Sequence, residues 1–181
     1  LIGVDLSVPP FGITNEQIAA AQKVASDIYK IDIGSMDIPT GVQLVAKDTL
    51  LKLDWNISEK HKANLRYTKS EESNPIFPGF SNSILTMSSH WYSQDKTLET
   101  LVGQLFSDWT DTFSTELKVS KRDYASDPKN NSNLPQVSLT WTSKDPLGTS
   151  NNRTLRFGTE SSRHFNSLKT KTLDAYFRGN L

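Results

Sequence analysis

Histidines, carboxylates and a group of aromatic rings are the side chains of this 181-residue sequence with the most chemistry to offer. His61, His90 and His164 are too scattered for the paired spacing of a metal site. His90, in Ser88-Ser89-His90-Trp91-Tyr92, and His164, beside Arg163, have no second ligand close in sequence, so no metal is expected. Asp123, Asp127 and the run from Asn130 to Asn133 carry calcium-type oxygens without the order and glycine of an EF-hand loop. No Gly-x-Ser-x-Gly, His-Glu-x-x-His or glycine-rich phosphate loop occurs. Glu71 and Glu72 are adjacent, and neighbours diverge in an extended chain. No enzyme activity and no cofactor are expected. Phe77, Phe80, Trp91 and Tyr92 lie in a polar stretch shaped by Pro75, Pro78 and Gly79. Rings in such a loop either stack on sugars and flat ligands or pack the loop on its neighbours. With His90 they form the candidate ligand-binding group.

Composition narrows the classes. Twenty basic and twenty acidic residues leave no net charge, so no global field draws the chain to nucleic acid or an anionic surface. The absence of cysteine removes disulfides, thiol catalysis and cysteine-held metals. No run reaches the 18 or so apolar residues of a transmembrane helix, but a transmembrane β-barrel needs only alternation. The opening Leu1-Ile2-Gly3 carries no leader, which points to a start inside a longer protein. The alternation running into Leu181 points to a stop in mid-sheet.

Two regions are expected to position these residues. Residues 1–48 read as a loop and helix segment, and 49–181 as antiparallel β with long loops. Pro9-Pro10 and Gly12 give an extended lead-in. Thr14 with Gln17 forms a capping box for a helix over 14–30, with Ile18, Ala21, Val24, Ala25, Ile28 and Tyr29 on one stripe. From Leu50 the period becomes two: Leu51, Leu53, Trp55 and Ile57 alternate with polar residues up to the turn at 58–61, and Ala63, Leu65 and Tyr67 return. A second hairpin, with strands of about ten residues, turns at 110–112. A last strand alternates Leu173, Ala175, Phe177 and Gly179 with polar residues. The intervening stretches 70–96 and 123–152 read as long loops. Alternation alone leaves two readings open, a soluble β-sandwich and a piece of an outer-membrane barrel.

Three stretches, taken in order, resemble strands of TonB-dependent outer-membrane receptors of the Oar-like group, which carry a carboxypeptidase-regulatory-like N-terminal domain. They are Lys52-Leu53-Asp54-Trp55-Asn56 with Ala63-Asn64-Leu65-Arg66-Tyr67, then Phe106 to Leu117, then Leu155 to Glu160 with Arg163-His164, Asn166 and the strand from Thr170 to Gly179. The resemblance spans roughly 49–181. It implies a mainly β fold of up-and-down antiparallel hairpins, about five strands of a 22-stranded plugged barrel. It also implies that the short turns face the periplasm and that the loops at 70–96 and 123–168 lie outside the cell with the helical segment. Trp55 and Trp109 would then join the aromatic girdle at the membrane interface. The implied partners are outer-membrane lipid, an extracellular ligand and, through a plug region and TonB box that this sequence lacks, the TonB complex. The competing expectation is a secreted β-sandwich binding module, for carbohydrate for example.

Overall fold

The structure, a computed structural model, describes residues 13–37, 40–79, 81, 83–144, 150–164 and 166–181. Phe80 and the lead-in with Pro9, Pro10 and Gly12 lie outside the described residues. Strand takes 62% of the chain, so the mainly β expectation holds, with one short helix. The chain divides into two compact units, one of residues 1–43, 74–94 and 128–166, the other of 44–73, 95–127 and 167–181.

The second unit is built on a sheet ordered β1 (Val45–Asn56), β2 (His61–Ile76), β4 (Tyr92–Thr110), β5 (Phe113–Asn130) and β8 (Leu168–Asn180). The register pairs Leu53 with Leu65 and Trp55 with Ala63 across β1 and β2, and Leu117 with Phe177 and Val119 with Ala175 across β5 and β8. Directly opposed residues share a face, so the sequence alternation sorts one apolar face and one mainly polar face. The turn after β1 closes with the amides of Ile57 and Ser58 donating to the His61 carbonyl at 3.0 and 3.1 Å. Ser58 Oγ accepts from the His61 amide.

Several sequence expectations are corrected. β1 starts at Val45 rather than about Leu50. The supposed loop at 70–96 is largely strand, because β2 continues to Ile76 and β4 begins at Tyr92. The supposed loop from 123 likewise holds the rest of β5, then β6 (Val137–Lys144) and β7 (Ser150–Phe157). Polar residues such as Ser70, Glu72, Asp95 and Lys96 stay in strand because they pair across it. Ser70 Oγ donates to Asp48, Ser73 Oγ to Asp95, and Lys96 Nζ to Glu72.

The first unit sets a helix on a small sheet ordered β3 (Ile84–Thr86), β7, β6. β3 runs parallel to β7, a departure from the all-antiparallel expectation, and β6 is antiparallel to it. The helix α1 (Asn15–Val24) carries the expected capping box: the Thr14 side chain accepts from the Gln17 amide and the Gln17 side chain from the Thr14 amide. It continues as a wider π turn over Ala25–Tyr29 and stops at Lys30, whose φ of 57° is left-handed. Of the expected apolar stripe, Ile18 and Ala25 are buried, while Val24, Ile28 and Tyr29 are exposed. Ile18 and Ala25 join Ile13, Ile33, Leu85, Met87, Leu155 and Phe157 in the core of this unit.

Candidate functional site

The apolar face of the five-stranded sheet is a feature with a functional shape. Leu51, Leu53 and Trp55 stand on it from β1, with Leu65 from β2. An added Cβ on Gly103 would lie 4.0 Å from Leu65, which puts Gly103, and with it Leu101, Leu105 and Trp109, on the same side. Trp109 Nε1 donates to Thr115 Oγ1 at 2.9 Å, which carries the face on to Leu117, Val119 and Phe177. These side chains are exposed, Leu53 by 63%, Trp55 by 62%, Trp109 by 55% and Phe177 by 68%. Neither Trp55 nor Trp109 is a core residue, then; Trp109 meets His61 edge to face at 5.1 Å between ring centres, beside the first short turn.

Further along the strands the same face turns charged. Lys69 pairs with Glu71 at 2.9 Å and with Glu99 at 3.8 Å, and Lys121 with Asp123 at 3.0 Å. All five occupy the odd-numbered positions that carry the leucines nearer the turns. The face is therefore a band, bounded by two tryptophans at the turn end and by ion pairs at the other. On the opposite side, Gln104 Nε2 donates to Glu116 at 3.3 Å, and Glu116, Lys118, Ser120, Arg122, Asp174 and Tyr176 line a polar groove.

The candidate ligand-binding group of the sequence lies in the first unit and is packed rather than displayed. Trp91 is 2% and His90 3% exposed, because Met87 to Trp91 forms a tight turn between β3 and β4. Phe77 meets Trp91 edge to face at 5.0 Å, and Trp91 Nε1 donates to Thr86 Oγ1 at 3.2 Å. Tyr92 lies under the Arg163 guanidinium, 4.4 Å from ring centre to Cζ. The structure thus brings Phe77, His90, Trp91 and Tyr92 together. Of the two readings open for these rings, packing describes Trp91, while Phe77 and Tyr92 are half-buried.

His90 is held by two groups. Its Nδ1 lies 2.6 Å from the Gly158 carbonyl oxygen, which only accepts, so Nδ1 carries the proton and Nε2 is left as an acceptor. Arg163 Nη2 sits 3.2 Å from Nδ1 and 3.4 Å from Nε2, and Nη1 donates to the His90 carbonyl at 2.8 Å. Burial, then the charges of Arg163 and Arg156, hold the imidazole below its ordinary pKa, against the opposing pull of the Gly158 hydrogen bond and Glu160. Gly158 itself has φ of 73°, donates to Ser89 Oγ at 3.0 Å, and has no room for a side chain: a Cβ would fall 2.0 Å from the Pro135 oxygen. Sequence reasoning singled out His90 and noted Arg163 only beside His164, but missed the role of Gly158, which depends on a left-handed backbone that only the fold reveals.

Among the described residues no cluster of three or more histidine or carboxylate side chains is placed to hold a metal ion. No helix is long and apolar enough to cross a membrane, which leaves crossing by strands open. Comparison with protein-family models, with curated proteins and with solved structures finds no match to this chain.

Proposed function

We propose that the chain is part of a TonB-dependent outer-membrane receptor of the Oar-like group, contributing barrel strands and the elements that recognise a ligand outside the cell. The observation that carries this reading is the bounded apolar band. Its exposed leucines and aromatics are costly in water and favourable against lipid. A β-sandwich would cover them. The consecutive up-and-down pairing of β1, β2, β4, β5 and β8 is the connectivity a barrel wall uses. From Leu101 to Trp109 the band spans eight residue steps, about 27 Å along the strand. A strand tilt of about 35–45° reduces that to roughly 19–22 Å, close to the ~25 Å apolar belt of outer-membrane barrels. Tryptophans beside the short turns suit a membrane interface, and the ion pairs suit strand extending past the lipid.

On this reading the mainly polar face looks into the barrel, and energy for uptake enters through the receptor's plug and the TonB complex. The protein acts in the outer membrane, in uptake and not as an enzyme. Charge placement tests it. Arg at Leu53, Leu117 or Phe177, in the protein as its source cell expresses it, should cost about 2–4 kcal/mol near the bilayer midplane, read as lost assembly into the outer membrane. Equal tolerance of Arg at Asp54, Lys118 and Arg178's neighbour Tyr176 and at the three apolar sites would sink the proposal.

A further inference from the structure

The first unit contains an apolar groove of about 480 Å³, walled by Ala21, Val24 and Tyr29 of the helical segment and by Val137, Leu139 and Phe157 of the small sheet. That volume falls within the ~300–1,000 Å³ of ligand sites. One wall is unusual. β6 is the last strand of its sheet, paired on its β7 side only among the described residues. Natural edge strands are kept short, charged, bulged or interrupted by proline. The run Val137-Ser138-Leu139-Thr140-Trp141-Thr142-Ser143 has no charge and no proline. Its outer row of amides and carbonyls stands beside the groove that its own alternate side chains line. Trp141 continues the row of Val137 and Leu139, packs against the core, and has a buried Nε1 hydrogen with no acceptor.

We propose that this groove binds an extended, uncharged peptide that adds as a further strand to the edge of β6 that no described strand pairs. Main-chain hydrogen bonds to β6 hold the backbone, and every second side chain, apolar, enters the groove between strand and helix. An acyl chain fills the apolar space but leaves the strand edge unmet, and no charged side chain lines the groove to draw a charged ligand. The inference goes beyond the receptor reading and does not depend on where the sheet's apolar band lies.

The test uses the full 181-residue chain, kept in solution with an amphipathic polymer so that detergent does not fill the groove. A fluorescent peptide of alternating valine and serine is titrated against it, with two versions N-methylated at odd or at even residues. Alternate amides of a strand point to opposite sides, so one version keeps every bond to β6, while the other loses all its amide donations to β6 and sets methyl groups against the carbonyl bonds that remain. Expected are saturable binding of the parent peptide, retention by one methylated version and loss of about tenfold or more by the other. Val24→Asp, at a helix position already 46% exposed and therefore compatible with folding, should weaken binding by a similar factor. No saturation, equal binding of both methylated versions and the parent, or indifference to Val24→Asp would each overturn the proposal. None of those results bears on the lipid-facing band, which rests on the other unit.

Discussion

Replacing Arg163 by Met keeps an apolar stem of similar length and deletes the guanidinium from the His90 cluster. Arg163 is 7% exposed, donates to the His90 carbonyl at 2.8 Å and lies over the Tyr92 ring. A hydrogen bond from a charged donor contributes about 1.5–3 kcal/mol, and a partly desolvated cation over an aromatic ring about 0.5–2 kcal/mol. Against these stands the cost of burying a charge whose Nε hydrogen has no partner and whose carboxylate, Glu160, is 3.8 Å away and exposed. The net expected loss is about 1–4 kcal/mol, confined to the first unit. Hydrogen exchange read by mass spectrometry on segments 84–92 and 150–164 measures it as a drop in opening free energy, with segments of β5 and β8 as internal controls. Arg163→Lys should recover only part of the loss, because an ammonium lacks the planar fork that reaches the carbonyl and the ring edge together. A change below about 0.5 kcal/mol for Arg163→Met, a value typical of idle surface positions, would refute the reasoning.

Two further outcomes follow from the same cluster. His90 titrates below its ordinary value near 6.5 in the folded chain, so the unfolded chain binds that proton more readily. Stability of the first unit should therefore be full above about pH 6.5 and decline as the pH falls through the range below it; His90→Asn should flatten that decline, and an unchanged slope would contradict it. Gly158→Ala must hold a left-handed backbone, at roughly 1–2 kcal/mol, and must also push Pro135 away from a Cβ placed 2.0 Å from its oxygen. Thermal unfolding of this variant should begin well below that of the parent chain, and equal midpoints would remove Gly158 from the account.

Much of the fold was legible because alternation is a direct record of two-sided strands. Leu51, Leu53 and Trp55 against Lys52 and Asp54, and Leu173, Ala175 and Phe177 against Asp174 and Tyr176, marked the sheet and its faces without help. Thr14 and Gln17 marked the helix start through a local exchange of hydrogen bonds. What composition concealed were strand stretches stabilised by polar pairing. Ser70, Ser73, Asp95 and Lys96 read as loop because their stability comes from cross-strand partners distant in sequence. β6 did show its signal, with Val137, Leu139 and Trp141 alternating with Ser138, Thr140 and Thr142, yet its polar flanks masked it. The candidate site was legible only as residue types. His90, Trp91 and Tyr92 stood out in the sequence, but their burial depends on Arg163 and Gly158, about 70 residues away, and no local rule encodes such a contact.

The most direct test of the lipid-facing band exploits the absence of cysteine. Single cysteines placed in turn at residues 114 to 119 of β5, spin-labelled in the membrane-embedded protein, report access to dissolved oxygen in lipid and to a water-soluble relaxation agent. The account predicts a period of two: Thr115, Leu117 and Val119 accessible from lipid, and Ser114, Glu116 and Lys118 from water. Equal water access at all six positions would contradict it, and the exposed leucines would then require a protein partner rather than a membrane.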